Sequence, residues 1–163
     1  YQYMEGAPIE HFTMRHEEAC VHAADGYQRA KHEPALAICS AGPGATNFVT
    51  GLYTAYIDSM PVFCVVGQAN TNQLKQEPFQ CVDMPDIAKT VTKKAWCVMK
   101  PEDLPAIMNE AFYVMRKAAP ALFSLSSPST CRTPSWTSTS ILMCPVRSPW
   151  SSPTWPRSRK LSR

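Results

Sequence analysis

The chain has 163 residues, 45% of them apolar and 10% aromatic, which is enough for one domain of ordinary size with a core. The longest apolar stretches, such as Pro61 to Val66, fall far short of the roughly 18 residues that read as a membrane span, so no membrane partner is expected. A formal net charge of +3 averages two unlike segments: all 13 acidic residues precede residue 118, and the remaining 46 residues carry six Lys and Arg with no acid.

The chain opens on Tyr1, without a basic head and apolar stretch of secretory type, and reads as an internal piece with no export signal. Its seven cysteines are odd in number and form no CxxC pair, which favours reduced thiols in the cytoplasm. The shift in composition places a boundary near Lys117. Residues 1–117 are a patterned domain. Residues 118–163 hold 12 Ser, 7 Pro and 3 Trp without apolar periodicity, so they are expected to be disordered and to specify neither strand nor helix.

In chain order, Arg15 to Lys31 places Ala19, Cys20, Ala23, Ala24, Tyr27 and Ala30 at helical spacing, with acids early and bases late. Ala35 to Cys39 is a continuous apolar run between Pro34 and the turn Ser40-Ala41-Gly42-Pro43-Gly44, and predicts a buried strand. Ala45 to Ile57 predicts a second helix and Val62 to Val66 a second strand. This strand–turn–helix–strand order marks a βαβ crossover, hence an α/β fold with a parallel sheet flanked by helices. Asn70 to Gln80 reads as loop, Met84 to Thr90 as a helical turn, Ala95 to Met99 as a third strand, and Pro101 to Lys117 as a helix.

Single motifs are weak. Arg15-His16-Glu17-Glu18-Ala19-Cys20 is superficially similar to a zincin helix, but the second ligand position is Cys20 and no third ligand follows, so no metal site is expected. Two acids opening a helix are ordinarily dipole complements. The Gly42-Pro43-Gly44 turn is neither GxGxxG nor a Walker loop, and a plain turn is its bland reading.

Their order and spacing are more specific. Arg-His-Glu-Glu-Ala-x-x-His-Ala-Ala-Asp-Gly-Tyr-x-Arg-Ala (15–30), Ser-Ala-Gly-Pro-Gly-Ala-Thr-Asn (40–47), Asp-Ser-Met-Pro-Val (58–62), Gly-Gln (67–68) and Phe-Gln-x-Val-Asp (79–83) resemble the pyrimidine-binding domain of thiamine-diphosphate enzymes, in the acetohydroxyacid (acetolactate) synthase and glyoxylate carboligase branch. The resemblance runs from about Ile9 to Lys117. It implies an enzyme that decarboxylates a 2-keto acid and joins the resulting enamine to a second carbonyl compound.

The resemblance further implies that a buried glutamate matching Glu17 hydrogen-bonds N1′ of the aminopyrimidine, where a carboxyl in an apolar pocket can share a proton with the ring. It places Gly42, Pro43 and Asn47 at the pyrimidine wall and its support. Gln80 is assigned to the reacting carbonyl, Phe79 beside it, and Lys93 to a substrate-facing cation. Glyoxylate carboligases replace the glutamate by valine, so Glu17 favours the synthase, whereas Leu74–Asp83 and Ile87-Ala88-Lys89 look like the carboligase.

The Gly-Asp-Gly motif that holds magnesium and diphosphate in this superfamily is absent from the 163 residues. Mg2+ and FAD are therefore implied only for other domains of a full-length enzyme, a homodimer or homotetramer, and the isolated chain is expected to be inactive. A non-catalytic dimerising remnant is the alternative.

After Lys117 the family continues Gly-Arg-Pro-Gly-Pro-Val, where the chain reads Ala118-Ala119-Pro120-Ala121-Leu122-Phe123. Back-translated with GC-rich codons and read one nucleotide earlier, the chain's own residues yield the family string, so residues 118–163 read as an out-of-frame translation. A basic arm for single-stranded nucleic acid is the rival reading; its six cations are scattered rather than clustered, and no nucleic-acid partner is expected.

Overall fold

The computed structural model describes residues 10–69, 74, 79–115, 121–125 and 141–145, the last two stretches through their backbone. Strand β1 is Phe12–Met14. Helix α1, Glu17–Lys31, begins at His16, whose backbone is extended (φ −138°) and whose Nδ1 accepts the Glu18 N–H at 3.3 Å, satisfying an otherwise unpaired first-turn donor. It stops at His32, which turns left-handed (φ 57°) and donates its N–H to the Gln28 carbonyl at 2.7 Å.

Strand β2, Ala35–Cys39, matches the expected run residue for residue. The helix expected from Ala45 is two pieces, α2 (Pro43–Thr46) and α3 (Phe48–Ile57), separated at Asn47. Strand β3 is Val62–Gly67, α4 is Met84–Ala88 capped by the Asp83 carboxylate, and β4 is Lys94–Val98. One 3₁₀ turn, Pro101–Asp103, leads into α5, Leu104–Met115. Most of the loop expected over Asn70–Gln80 lies outside the described residues.

Two further strands, β5 (Ala121–Leu125) and β6 (Ile141–Pro145), correct the expectation that nothing beyond Lys117 forms regular structure. Each is a short apolar run inside a Ser/Pro-rich stretch, and each fills a gap between neighbours that would otherwise leave backbone donors and acceptors unpaired. The sheet order is β1-β6-β2-β3-β5-β4. β2, β3, β5 and β4 run parallel, as the crossover predicts, whereas β6 runs antiparallel to both β2 and β1.

Alternation along β2 sorts the layers. Ala35, Ala37 and Cys39 face α1, α3 and α4, in a core with Cys20, Val21, Ala24, Phe48, Leu52, Cys64 and Met84. Alanines on this face let the helices sit close. On the other face α5 packs Ala111 and Met115 against Phe63, Trp96 and Val98, and the Phe63 and Phe112 rings lie 5.7 Å apart. Trp96 donates its indole N–H to Glu110 of α5 at 3.0 Å, and Lys94 reaches the same carboxylate.

Candidate active site

The carboxyl ends of β2 and β3 meet at one edge of the sheet, where parallel α/β folds place their ligands. β2 ends in Cys39 and passes into Ser40–Gly42. Gly42 has φ +68° and ψ −127°, a backbone state open to glycine. A Cβ there would stand 2.8 Å from Gln80 Cα and 3.0 Å from the Phe79 carbonyl oxygen. The bare Gly42 thus lets the 79–80 segment lie directly on the turn. Gly67, closing β3, does the same from below: a Cβ would come within 3.1 Å of the Ala41 nitrogen.

Gln68 fastens the far side of this segment. Its Nε2 donates to the Val82 carbonyl at 2.7 Å, while its Oε1 accepts the Ala69 amide at 2.8 Å. The sequence motif contained Gln68 without assigning it work; a polar amide directly after a buried apolar strand was the available signal.

Glu17 opens α1 and is half-buried in this chain rather than buried as expected. Its Oε2 accepts a hydrogen bond from Asn47 Nδ2 at 3.0 Å, and its Oε1 stands 3.1 Å from where a Gly44 Cβ would lie. One carboxylate oxygen is therefore tied and the other faces bare backbone. Beneath lies Cys39, whose thiol is pushed well above its ordinary range by burial first, with the Glu17 charge and Cys20 adding to the effect. Cys39 stays a neutral thiol beside the carboxylate, and donates to the Ser40 carbonyl at 3.3 Å.

Pro43 heads α2 on the exposed side of the turn, and Thr46 and Asn47 return their amides to the Gly42 and Pro43 carbonyls at 3.1 and 3.2 Å. Phe79 is 82% exposed and Gln80 is exposed, their backbone against Gly42. Glu17, Gly42, Pro43, Asn47, Phe79 and Gln80 thus share one rim.

Lys93 does not join them. It precedes the first residue of β4, which is level with the first residues of β3 and β5, and lines an open recess with Tyr56, Ile57 and Ser59 at the far end of α3. The α4 crossover has by then carried the chain back to the amino edge of the parallel strands, which a linear motif does not reveal.

The donor set fits half of thiamine diphosphate. A carboxylate with one oxygen held and the other free to meet a ring nitrogen, beside glycines that leave a wall without side chains, suits an aminopyrimidine. Among the described residues there is no group of three or more His, Cys, Asp or Glu able to hold a metal ion, and no helix long and apolar enough to cross a membrane.

Residues 1–87 match the family model "Thiamine pyrophosphate enzyme, N-terminal TPP binding domain". The acetolactate synthase of Arthrospira platensis is 38% identical over 128 residues, covering 78% of this chain and 22% of that protein. The acetolactate synthase large subunit of Haemophilus influenzae is 42% identical, and isozyme 3 of Escherichia coli K12 is 40% identical, each over 112 residues, 69% of this chain and 20% of the relative. The chain spans only 20–22% of the length of these curated relatives. On the family match and the shared rim of residues, the chain belongs to the thiamine pyrophosphate enzyme family, as its N-terminal cofactor-binding domain on the acetolactate synthase branch.

Proposed function

We infer that this chain is the pyrimidine-binding part of an acetolactate synthase-like carboligase, which decarboxylates a 2-keto acid and joins the remainder to a second carbonyl compound. The observation that carries the reading is Glu17, with Oε2 held by Asn47 and Oε1 open toward Gly44. Glu17 would hold and return a proton at the ring N1′ atom. Gly42, Pro43 and Gly44 would form the wall against which the ring lies, and Asn47 would keep the carboxylate aimed. Phe79 and Gln80 would border the substrate side, Phe79 as an apolar face that excludes water. Thiamine diphosphate, when bound, supplies the electron sink for decarboxylation and carbon–carbon joining. Lys93 has no part in this reading.

Glu17 and the synthase relatives favour this substrate class over glyoxylate carboligation; of the loop Leu74–Asp83 that resembles the carboligase, residues 75–78 lie outside the described set. Mg2+ and FAD would belong to other domains of a cytoplasmic, oligomeric enzyme. In a chain restored to full length, Glu17→Gln is expected to slow C2 proton exchange of thiamine diphosphate by about 10²–10⁴-fold, the usual weight of a positioned acid–base group. Equal exchange in both forms would sink the assignment.

Residues 118–163 would then be an out-of-frame translation of the segment that follows Lys117 in the family. This predicts that the coding DNA, sequenced across codons 105–163 and beyond, returns Gly-Arg-Pro-Gly-Pro-Val and a later Gly-Asp-Gly after a one-base correction. An uninterrupted frame without either string would refute it.

A further inference from the structure

Helices α1 and α3 lie side by side and point the same way: Glu17 and Asn47 meet at their first turns, and Arg29 Nη2 meets Asp58 Oδ2 at 2.6 Å at their ends. One turn inside the Glu17–Asn47 contact, the seam is closed by Gly51 against Val21, each four residues beyond its predecessor and so on the same helix face. Both are buried. A Cβ on Gly51 would stand 2.6 Å from Val21 Cβ and 2.8 Å from its Cγ1, closer than two carbon atoms can pack.

The Asn47–Glu17 bond is itself exposed to solvent, and an exposed amide–carboxylate bond is too weak to hold two helices at a set distance. The packed contact beneath must set it. We propose that Gly51 is a positioning residue for the cofactor carboxylate: by letting α3 close onto Val21 it brings Asn47 within reach of Glu17. Gly51 touches neither substrate nor cofactor. Its effect is transmitted over one helical turn, about 5.4 Å, and a displacement of well under 1 Å at Asn47 takes a 3.0 Å bond past the usual 3.2 Å limit.

This deepens the reading of Glu17 as the working carboxylate, and its test needs no cofactor. The probe is the Asn47 side-chain amide in the 15N-labelled 163-residue chain, identified by its loss in Asn47→Asp. Its reference for a broken bond is Glu17→Ala. In Gly51→Ala the Asn47 amide is expected to take the chemical shift and solvent-exchange rate it has in Glu17→Ala. In the double variant Val21→Gly with Gly51→Ala, which removes the Val21 carbons that the new methyl would meet, it is expected to return to the parent values. A folded Gly51→Ala with an unchanged Asn47 amide would overturn the proposal. Where Gly51→Ala does not fold, the double variant decides: a parent-like amide supports the proposal, and a broken-bond amide or failure to fold overturns it. Unchanged C2 exchange in Glu17→Gln would overturn the function of Glu17 and leave the amide result standing, so the two failures are distinct.

Discussion

Two glycines with opposite surroundings should answer alanine substitution in opposite directions. Gly42 holds φ +68° and leaves no room for a Cβ, because the atoms it would meet are Gln80 Cα and the Phe79 carbonyl, backbone that cannot rotate aside. Gly26 lies exposed in α1, with nothing within 4 Å of its would-be Cβ. Gly42→Ala is therefore expected to destabilise by about 1–3 kcal/mol from backbone strain, with the clash adding to it. Gly26→Ala should stabilise by about 0.5–1 kcal/mol, since glycine inside a helix loses more backbone freedom on folding. Urea unfolding of both variants reads the contrast. Equal midpoints would mean that the Gly42 turn is not held in this conformation. Family resemblance named Gly42, Glu17 and Asn47 as neighbours of one ring. It did not name the bond between Glu17 and Asn47, which joins residues 30 apart and arises only when two helices close.

At the scale of elements, legibility followed how much of the physics was local. β2 was readable to the residue because an apolar run covered on both faces is bounded by Pro34 and by a glycine turn. The first turn of α1 was readable from its acids, although His16 as its cap was not, since histidine is not among the favoured capping residues. The break between α2 and α3 was hidden: Asn47 keeps helical angles (φ −65°, ψ −12°), and only the hydrogen-bond pattern is interrupted. β1 is three residues long with two exposed, too short for alternation to register. Lys93 shows the same limit for the site. A motif fixes distance along the chain, and only topology fixes which edge of the sheet a residue reaches.

For the whole molecule, the decisive question is whether a stretch with the composition of the tail completes the sheet. β3 and β4 do not pair with each other; β5 lies between them, with Phe123 level with Val65 on one side and Trp96 on the other. Without β5 the facing edges of β3 and β4 would have no strand between them to pair with. Averaging over 46 Ser/Pro-rich residues concealed this, because four apolar residues among the five of β5 weigh little in such a window yet suffice for a strand. Proline in a central strand removes a ladder donor and cannot be accommodated as on an edge. Phe123→Pro is therefore expected to lower stability by about 3 kcal/mol, the order found where proline breaks regular structure. The unfolding midpoint in urea, with far-ultraviolet circular dichroism and Trp fluorescence followed together, measures it. A midpoint unchanged from the parent would place residues 121–125 outside the sheet and leave β3 and β4 as open edges; coincident, lowered transitions would mean that the tail, in whichever frame it is read, is part of the fold that holds the Glu17 rim in place.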